Sequence, residues 1–260
     1  MAPATRAAAL SPSVVIFALA LLMGLQPVTT DLYLPAMPQI ARDLHAGMPA
    51  VQATMSVLLL AFGIGQLAMG PLSDRFGRRP VLLAGLGLHA LGGMGAALAP
   101  DAPLLVAMRA VQGLGLAASV VCARAMVRDL FEPHEGAPVM SKALGGLGVI
   151  ACFAPTVGGL VAATFGWRGS MTPVGLIGGL IAAFVALRLP ETARHLNPQA
   201  TAPGPLLQRL REIARHRGFL AWALLVAGTY AGLYVLLAGS SFVYTGPLGL
   251  DRKSTPLNSS

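Results

Sequence analysis

Two ionisable side chains, Asp31 and Arg109, stand inside long apolar stretches and have the residue types that can handle protons. A charged group at the centre of a membrane helix costs about 2.5–3.5 kcal/mol, so such residues are candidates for function. Burial favours the neutral carboxylic acid and a nearby guanidinium favours the carboxylate, so the pair can bind and release a proton. Gln112, one turn after Arg109, is expected to face the same way. His89 also lies in an apolar stretch, but it has no evident partner, and we expect it to be structural.

The expected depths of Asp31 and Arg109 in the membrane are similar. Asp31 lies 17 residues after Val14, where the first apolar stretch begins, which is about 25 Å of helix. Arg109 lies six residues after Pro103, at the start of a stretch that runs the opposite way, which is about 9 Å. In a hydrocarbon core of about 30 Å both lie near the same surface. The two side chains are therefore expected to meet if their helices are neighbours.

A second group of charges lies in the short segment Gly70–Pro80, between two apolar stretches. Its glycines and charged residues are Gly70, Asp74, Arg75, Gly77, Arg78 and Arg79. Glycine and proline fit a tight connection between helices. Asp129 lies at the end of another apolar stretch. We expect Asp74, Arg78 and Asp129 to form a charge cluster that holds one conformational state, as a gate would.

The elements that must position these groups are membrane helices. The chain has 260 residues, of which 55% are hydrophobic and 11% charged, and its mean hydropathy is +0.70. Seven apolar stretches are long enough to cross a bilayer as helices, whereas barrel strands need half that length. They are roughly Val14–Leu34, Val51–Met69, Val81–Ala99, Pro103–Met126, Val139–Ala163, Met171–Leu189 and Phe219–Tyr244. The sequence predicts an all-α integral membrane protein.

The formal charge of +8 is spread over several connecting segments, which argues against a nucleic-acid surface. Basic residues concentrate in alternate connections, and this bias predicts a cytoplasmic N-terminus. The longest connection contains a basic amphipathic stretch, Leu206–Ile213, which is expected on the inner membrane surface. Cys122 and Cys152 lie in apolar stretches and are expected to be packing residues. No His, Cys, Asp and Glu residues have the spacing of metal ligands.

The fifth apolar stretch is rich in small residues. They include Gly145, Gly148, Gly158 and Gly159, with Pro155 among them. Small residues let helices approach closely, and proline removes a backbone hydrogen bond and bends the helix. The sequence predicts a closely packed, kinked helix, and generic small-residue packing is the alternative interpretation.

Four segments, in this order, resemble motifs of the major facilitator superfamily. They are Thr29–Pro38, Gly70–Pro80, Arg109–Gly115 and Gly145–Gly159, which are similar to its first-helix, loop, fourth-helix and antiporter motifs. In the first, Asp31 precedes the run Tyr33-Leu-Pro-Ala, which resembles the Bcr/CflA drug-resistance branch. The fourth departs from the pattern, since Ala154 precedes Pro155 where that motif usually has glycine.

The resemblance implies the first six-helix half of a facilitator fold in residues 1–189. A cytoplasmic basic linker, 190–218, and a seventh helix, 219–250, would follow. Residues 251–260 form a polar tail, which we interpret as a truncation or cloning scar because the fold needs two six-helix halves.

The same resemblance implies a proton-coupled multidrug efflux antiporter of the bacterial inner membrane, monomeric and working by alternating access. Asp31, Tyr33, Arg109 and Gln112 would line the proton and substrate site. The partners would be a small-molecule drug, protons and the lipid bilayer, and a proton gradient would drive transport with no cofactor and no enzymatic activity. The alternatives are a facilitator that imports or exports a metabolite, and an inactive fragment.

Overall fold

A computed structural model describes residues 11–193 and 195–245, and all regular structure within them is helical. The helices are α1 (Pro12–Asp31), α2 (Met37–Asp43), α3 (Met48–Phe76), α4 (Arg78–Ala97), α5 (Ala102–Leu130), α6 (Pro133–Arg188), α7 (Pro203–Arg215) and α8 (Arg217–Thr245), with a 3-10 turn at Leu34–Ala36. The chain divides into two compact units after Thr201. The predicted polar tail, 251–260, lies outside the described residues.

Helix α6 contains two membrane spans. Its 56 residues correspond to about 84 Å, which is far longer than a bilayer core of about 30 Å. The backbone leaves helical geometry at Gly166, where φ is 73°, a value that favours glycine. This break, a single non-helical residue, lies between the fifth and sixth predicted spans, which end at Ala163 and begin at Met171. The sequence predicted the connection of the two spans in this interval, and the kink that it predicted at Pro155, within the fifth span, stays a prediction.

Five helices of the described residues, counting α6 once, are long and apolar enough to cross a membrane. With α6 divided at Gly166, they account for all six spans predicted in the first unit. Helix α5 packs along α3 and α4, and α6 packs along α1 and α4. Small residues bring these helices together, because a Cβ at Gly113 would collide with the Leu58 carbonyl and one at Gly92 with the Gln112 backbone. The close approach fixes the position of α5 and of the polar residues on it.

The glycines of α6 follow the sequence prediction only in part. A Cβ at Gly158 would collide with the backbone of Leu32, so the two chain segments touch there. Gly159 makes ordinary van der Waals contact. Gly145 and Gly148 are exposed and face open space. The close packing expected along this helix is thus found at Gly158 but not at Gly145 or Gly148.

The connection between α3 and α4 is a single residue, Gly77, with φ of 99°. Helix α3 continues to Phe76, and α4 begins at Arg78. Gly70 and Asp74, which the sequence placed in a loop, therefore belong to the last turns of α3, and so does Arg75. The charged groups that the sequence placed in a short loop are instead held on the ends of two helices.

Candidate functional site

A cluster of fully buried polar side chains lies between the helices of the first unit, and we name it the Arg109 cluster. Its members are Thr29, Tyr33, Thr54, His89, Arg109 and Gln112. They come from α1, the turn after α1, α3, α4 and α5. Buried polar side chains need partners, so the contacts among them decide what the cluster can do.

Arg109 is held by neutral groups. Its Nη1 donates to Oε1 of Gln112 at 2.7 Å, and Nη1 and Nη2 lie 3.4 and 3.3 Å from the carbonyl oxygen of Thr29. Its guanidinium carbon lies 4.4 Å from the ring centre of Tyr33. No carboxylate of the described residues forms an ion pair with it. The Thr29 carbonyl belongs to the last turn of α1, where carbonyls lack helical partners and the helix dipole favours a cation.

Two threonines orient the aromatic residues of the cluster. The hydroxyls of Thr29 and Thr54 each donate to a helix carbonyl, at 2.6 and 2.5 Å, so each can only accept from its second partner. Thr29 therefore accepts from Nε2 of His89 at 2.9 Å, and Thr54 accepts from the Tyr33 hydroxyl at 2.5 Å. His89, for which the sequence showed no partner, is thus a hydrogen-bond donor to the residue whose carbonyl holds Arg109.

Three polar atoms of the Arg109 cluster are buried without a hydrogen-bond partner in the described structure. They are Nε of Arg109, Nε2 of Gln112 and Nδ1 of His89. An unsatisfied buried polar atom costs about 1–3 kcal/mol. A site that retains three of them around one cation is not arranged for stability alone, which is typical of functional sites.

Asp31 does not join the Arg109 cluster, so the contact with Arg109 expected from the sequence is wrong. Asp31 is half-buried at the end of α1 and accepts a hydrogen bond from the hydroxyl of Thr30 at 2.7 Å. Thr29 and Tyr33 are one helical turn apart and both face Arg109, whereas Asp31, two residues from each, points away from it. The sequence placed Asp31 and Arg109 at similar depth in the membrane, but depth does not determine which side of α1 the Asp31 side chain faces.

The charged groups at the other end of α5 form a second cluster, the Arg78 cluster. Its members are Ser73, Asp74, Arg78, Asp129 and Glu191. Nη1 of Arg78 lies 2.5 Å from Asp74 and 2.7 Å from the Ser73 hydroxyl, and Nε lies 3.0 Å from Asp129. The side chains of Arg78, Asp74 and Asp129 are 11, 43 and 19% exposed. The contact predicted among these three residues is present, and their role as a gate stays a prediction.

Glu191 is the member of this cluster that the sequence reasoning missed. Its carboxylate accepts from the backbone N–H groups of Arg78 and Arg79 at 2.8 and 3.1 Å, the first residues of α4. These groups lack helical partners, and the positive end of the helix favours an anion. A Cβ at Gly77 would collide with this carboxylate. The only signal in the sequence was an acid just after the sixth apolar stretch.

In the described structure, the side chains of Arg75 and Arg79, which the sequence grouped with the gate, form no ion pair with the carboxylates of this cluster. Nη1 of Arg75 donates to the Thr201 hydroxyl at 2.5 Å, and Nη2 of Arg79 donates to the Ala186 carbonyl at 2.6 Å. The backbone N–H of Asn197 also donates to the Asp74 carbonyl at 2.9 Å. These bonds attach the end of α6 and the segment after it to the connection between α3 and α4.

A family profile described as Major Facilitator Superfamily matches residues 14–259. The chain belongs to the major facilitator superfamily. It is a multi-pass membrane protein of a transporter family rather than an enzyme, as the sequence predicted.

Two curated relatives of this facilitator carry drug-resistance names. It is 31% identical to multidrug resistance protein D of Escherichia coli K12 over 92% of this chain and 60% of that protein. It is 30% identical to a bicyclomycin resistance protein homolog of Haemophilus influenzae, with the same two coverages. These names support the resemblance to the Bcr/CflA branch. The chain spans about 60% of the length of the relatives that it matches.

The fold matches a solved facilitator structure. The inward-open xylose transporter XylE of E. coli superposes with a TM-score of 0.62 at 18% identity, over 92% of this chain and 64% of that one. At this identity the likeness establishes the fold, which is the first six helices of a facilitator and a seventh.

Proposed function

We propose that the chain supplies the first half of a proton-coupled multidrug antiporter, which exports amphipathic drugs by alternating access through the bacterial inner membrane. The drug-resistance names of the relatives support the substrate class. The observation that carries the mechanism is the fully buried Arg109, whose charge no carboxylate of the described residues neutralises. A cation of this kind responds to any charge that changes beside it.

In this proposal Asp31 carries the proton, and Arg109 holds the turn on which Asp31 stands. Arg109 binds the carbonyl of Thr29, two residues before Asp31, so the end of α1 is attached to α5. Asp43 and Asp101, the other acids near this end of α1, are exposed, whereas Asp31 is half-buried. A cationic drug that approaches Asp31 favours the carboxylate and releases the proton.

The other predicted site residues take supporting roles. Tyr33 is fully buried, so it covers Arg109 rather than lining an open cavity. Gln112 is uncharged, but its Oε1 accepts a hydrogen bond from Arg109. This bond sets the direction of the guanidinium. The Arg78 cluster lies 20 residues from Arg109 along α5, measured to Asp129, which is about 30 Å. We propose that it closes the cytoplasmic end, while the N-terminus lies on the same side.

A proton gradient is sufficient to drive this exchange. One proton that enters down about 100 mV releases roughly 2.3 kcal/mol, and each pH unit adds about 1.4 kcal/mol. Concentrating a neutral drug a hundredfold costs roughly 2.8 kcal/mol. One proton exchanged for one neutral drug molecule therefore supports about a hundredfold outward gradient. Exchange for a monocationic drug moves no net charge and is driven by the pH difference alone, at about tenfold per pH unit.

The test is drug-driven proton release from reconstituted protein at several pH values. We use the longest reading frame that contains this sequence, and the 260-residue chain alone in a parallel series. Asp31→Asn is expected to abolish proton release and uphill efflux while drug still binds. Asp43→Asn, which removes an exposed acid of α2, is the matched control and should behave like the parent.

Two outcomes would contradict parts of the proposal, and a third would show that the 260-residue chain is inactive by itself. If Asp31→Asn releases protons and pumps like the parent, the coupling site lies elsewhere. If the parent releases no protons with any drug but does so with a metabolite, the metabolite facilitator is the better interpretation. If proton release is absent only in the 260-residue series, that chain is inactive by itself while the mechanism still holds.

A further inference from the structure

The second unit carries an amphipathic helix, α7, for which the proposed transport cycle has no use. Its 13 residues, Pro203–Arg215, include four large apolar side chains: Leu206, Leu207, Leu210 and Ile213. Their spacing places them on one face of the helix. Leu207, Leu210 and Ile213 are 69, 41 and 45% exposed. An apolar stripe that stays exposed on a charged helix needs a cover that is apolar in the middle and polar at its edges.

The charge around this stripe is strongly positive. The sequence from 203 to 217 contains Arg209, Arg211, Arg215 and Arg217 and one acid, Glu212. By helical spacing Glu212 lies opposite the apolar stripe, where its carboxylate accepts from Nε2 of Gln208 at 3.0 Å. The only acid of the segment is therefore directed away from whatever covers the stripe. The complementary partner is an anionic surface.

The position of α7 next to α8 places it at a membrane surface. One residue, His216, separates the two helices, and its extended backbone (φ −77°, ψ 108°) turns the chain between them. Its Nδ1 accepts from the backbone N–H of Phe219 at 3.1 Å, which caps the first turn of α8. Phe219 and Trp222 are 50 and 71% exposed, and tryptophan at the end of a membrane helix marks the headgroup level.

We propose that α7 docks on the anionic headgroups of the bilayer that α8 enters, with its leucine stripe in the acyl boundary and its arginines among the phosphates. Interfacial helices have this composition, with apolar residues on one face and basic residues on the other. Each arginine near an anionic surface strengthens such docking about fivefold. The proposal is independent of what the transporter carries.

The experiment places nitroxide labels on the two faces of α7 in the 260-residue chain. Cys122→Ser and Cys152→Ser remove the native thiols, and Leu207→Cys and Glu212→Cys supply the label sites one at a time. The protein is reconstituted in nanodiscs of phosphatidylcholine alone or with one quarter phosphatidylglycerol. Collisions with oxygen, which concentrates in lipid, and with a water-soluble nickel complex are then measured by electron paramagnetic resonance.

The proposal predicts that the 207 label gains oxygen contact and loses nickel contact when phosphatidylglycerol is present, while the 212 label stays in water. Arg211→Gln should shift the docked fraction about fivefold toward the undocked state. Arg211→Lys, which keeps the charge, and Arg42→Gln, an exposed arginine of α2, should leave it unchanged.

Three results would overturn the proposal. Equal nickel contact at both labels in both lipids would mean that α7 stays in water. Protection of the 207 label from both oxygen and nickel, whatever the lipid, would mean that α7 docks on protein. An effect of Arg42→Gln as large as that of Arg211→Gln would assign the lipid response to net charge rather than to α7.

Discussion

Arg78, which is partly buried, and Arg109, which is fully buried, lie in the same helical unit, but their charges are compensated in opposite ways. Arg78 is 11% exposed and has two carboxylate partners, Asp74 and Asp129. Arg109 is fully buried, and its partners are a carbonyl, an amide oxygen and an aromatic face. The first arrangement gives the guanidinium ionised partners, whereas the second leaves a positive charge without one in the described structure.

This difference separates two tasks. A network of ion pairs has a made state and a broken state, so it suits a latch between conformations. A guanidinium held by dipoles in a low-dielectric interior keeps a field that acts on any group that changes charge nearby, so it suits a coupling site. The two clusters lie about 30 Å apart along α5, and substitutions in one are expected to add to those in the other.

The largest expected effect is on transport, from replacing each arginine with lysine. Arg109→Lys should slow drug-driven proton release about 10- to 100-fold, because one ammonium cannot donate to Thr29 and Gln112 while covering the Tyr33 ring. Arg78→Lys should lose much less, since a compact cation still pairs with two carboxylates. Initial rates in proteoliposomes at equal protein density measure both. Equal losses at the two sites would remove the distinction between coupling site and latch.

A smaller effect is expected on the free energy of unfolding when each arginine is replaced by methionine. The two clusters should respond differently. Arg78→Met leaves the carboxylates of Asp74 and Asp129 facing each other and should cost about 1–3 kcal/mol, at the lower end because Asp74 is partly solvated. Arg109→Met removes a desolvated charge and should be nearly neutral or stabilising. Unfolding of the purified variants in mixed micelles gives both values. A larger loss for Arg109→Met would show that its neutral partners compensate its charge fully.

The third prediction separates two glycines that the sequence assigned to the same gate segment. Gly77→Ala should cost about 1–2 kcal/mol, because φ is 99° and the new Cβ meets the Glu191 carboxylate that caps α4. Gly70 has open space and lies within α3, where alanine is the better helix former, so Gly70→Ala should stabilise by up to about 1 kcal/mol. The same unfolding measurement compares them, and similar losses for both would contradict a latch built on Glu191.

The sequence predicted the Arg78 cluster more successfully than the Arg109 cluster, for a physical reason. Asp74 and Arg78 are four residues apart in a short charged segment, and Asp129 ends a neighbouring span, so opposite charges had to meet at one end of the bundle. The partners of Arg109 are uncharged, and a backbone carbonyl is among them. Nothing in residue type marks Thr29 or His89 as its support, and only the packed structure shows which way each side chain faces.

In the fold, likewise, the sequence predicted which segments are helices better than it predicted where the helices end. Apolar length predicted the six spans of the first unit, because lipid requires about 20 apolar residues whatever the packing. The helix ends were less predictable. Polar residues such as Asp74 and Arg75 extend α3 into the interface, and the only interruption before α4 is a glycine with positive φ. The apolar pattern also did not show that the connection between the fifth and sixth spans is a single non-helical residue, Gly166.

The smallest expected effect is a difference in salt dependence between the two clusters. Asp74 is 43% exposed, so its interaction with Arg78 is accessible to counterions, and the Debye length falls from about 10 Å at 0.1 M salt to about 3 Å at 1 M. The cost of Asp74→Asn should therefore shrink by a few tenths of a kcal/mol over that range, as for other exposed ion pairs.

The effect of Arg109→Met should not change with salt, because no ion reaches a fully buried guanidinium. The salt dependence of the cost of Asp129→Asn should lie between those of Asp74→Asn and Arg109→Met, because the parent carboxylate is 19% exposed. This variant serves as an internal scale. Unfolding at the two salt concentrations, with each variant referred to the parent at the same salt, removes the general effect of salt on the micelle. If Arg109→Met responds to salt as strongly as Asp74→Asn, counterions reach Arg109, and its unneutralised charge cannot be the basis of coupling.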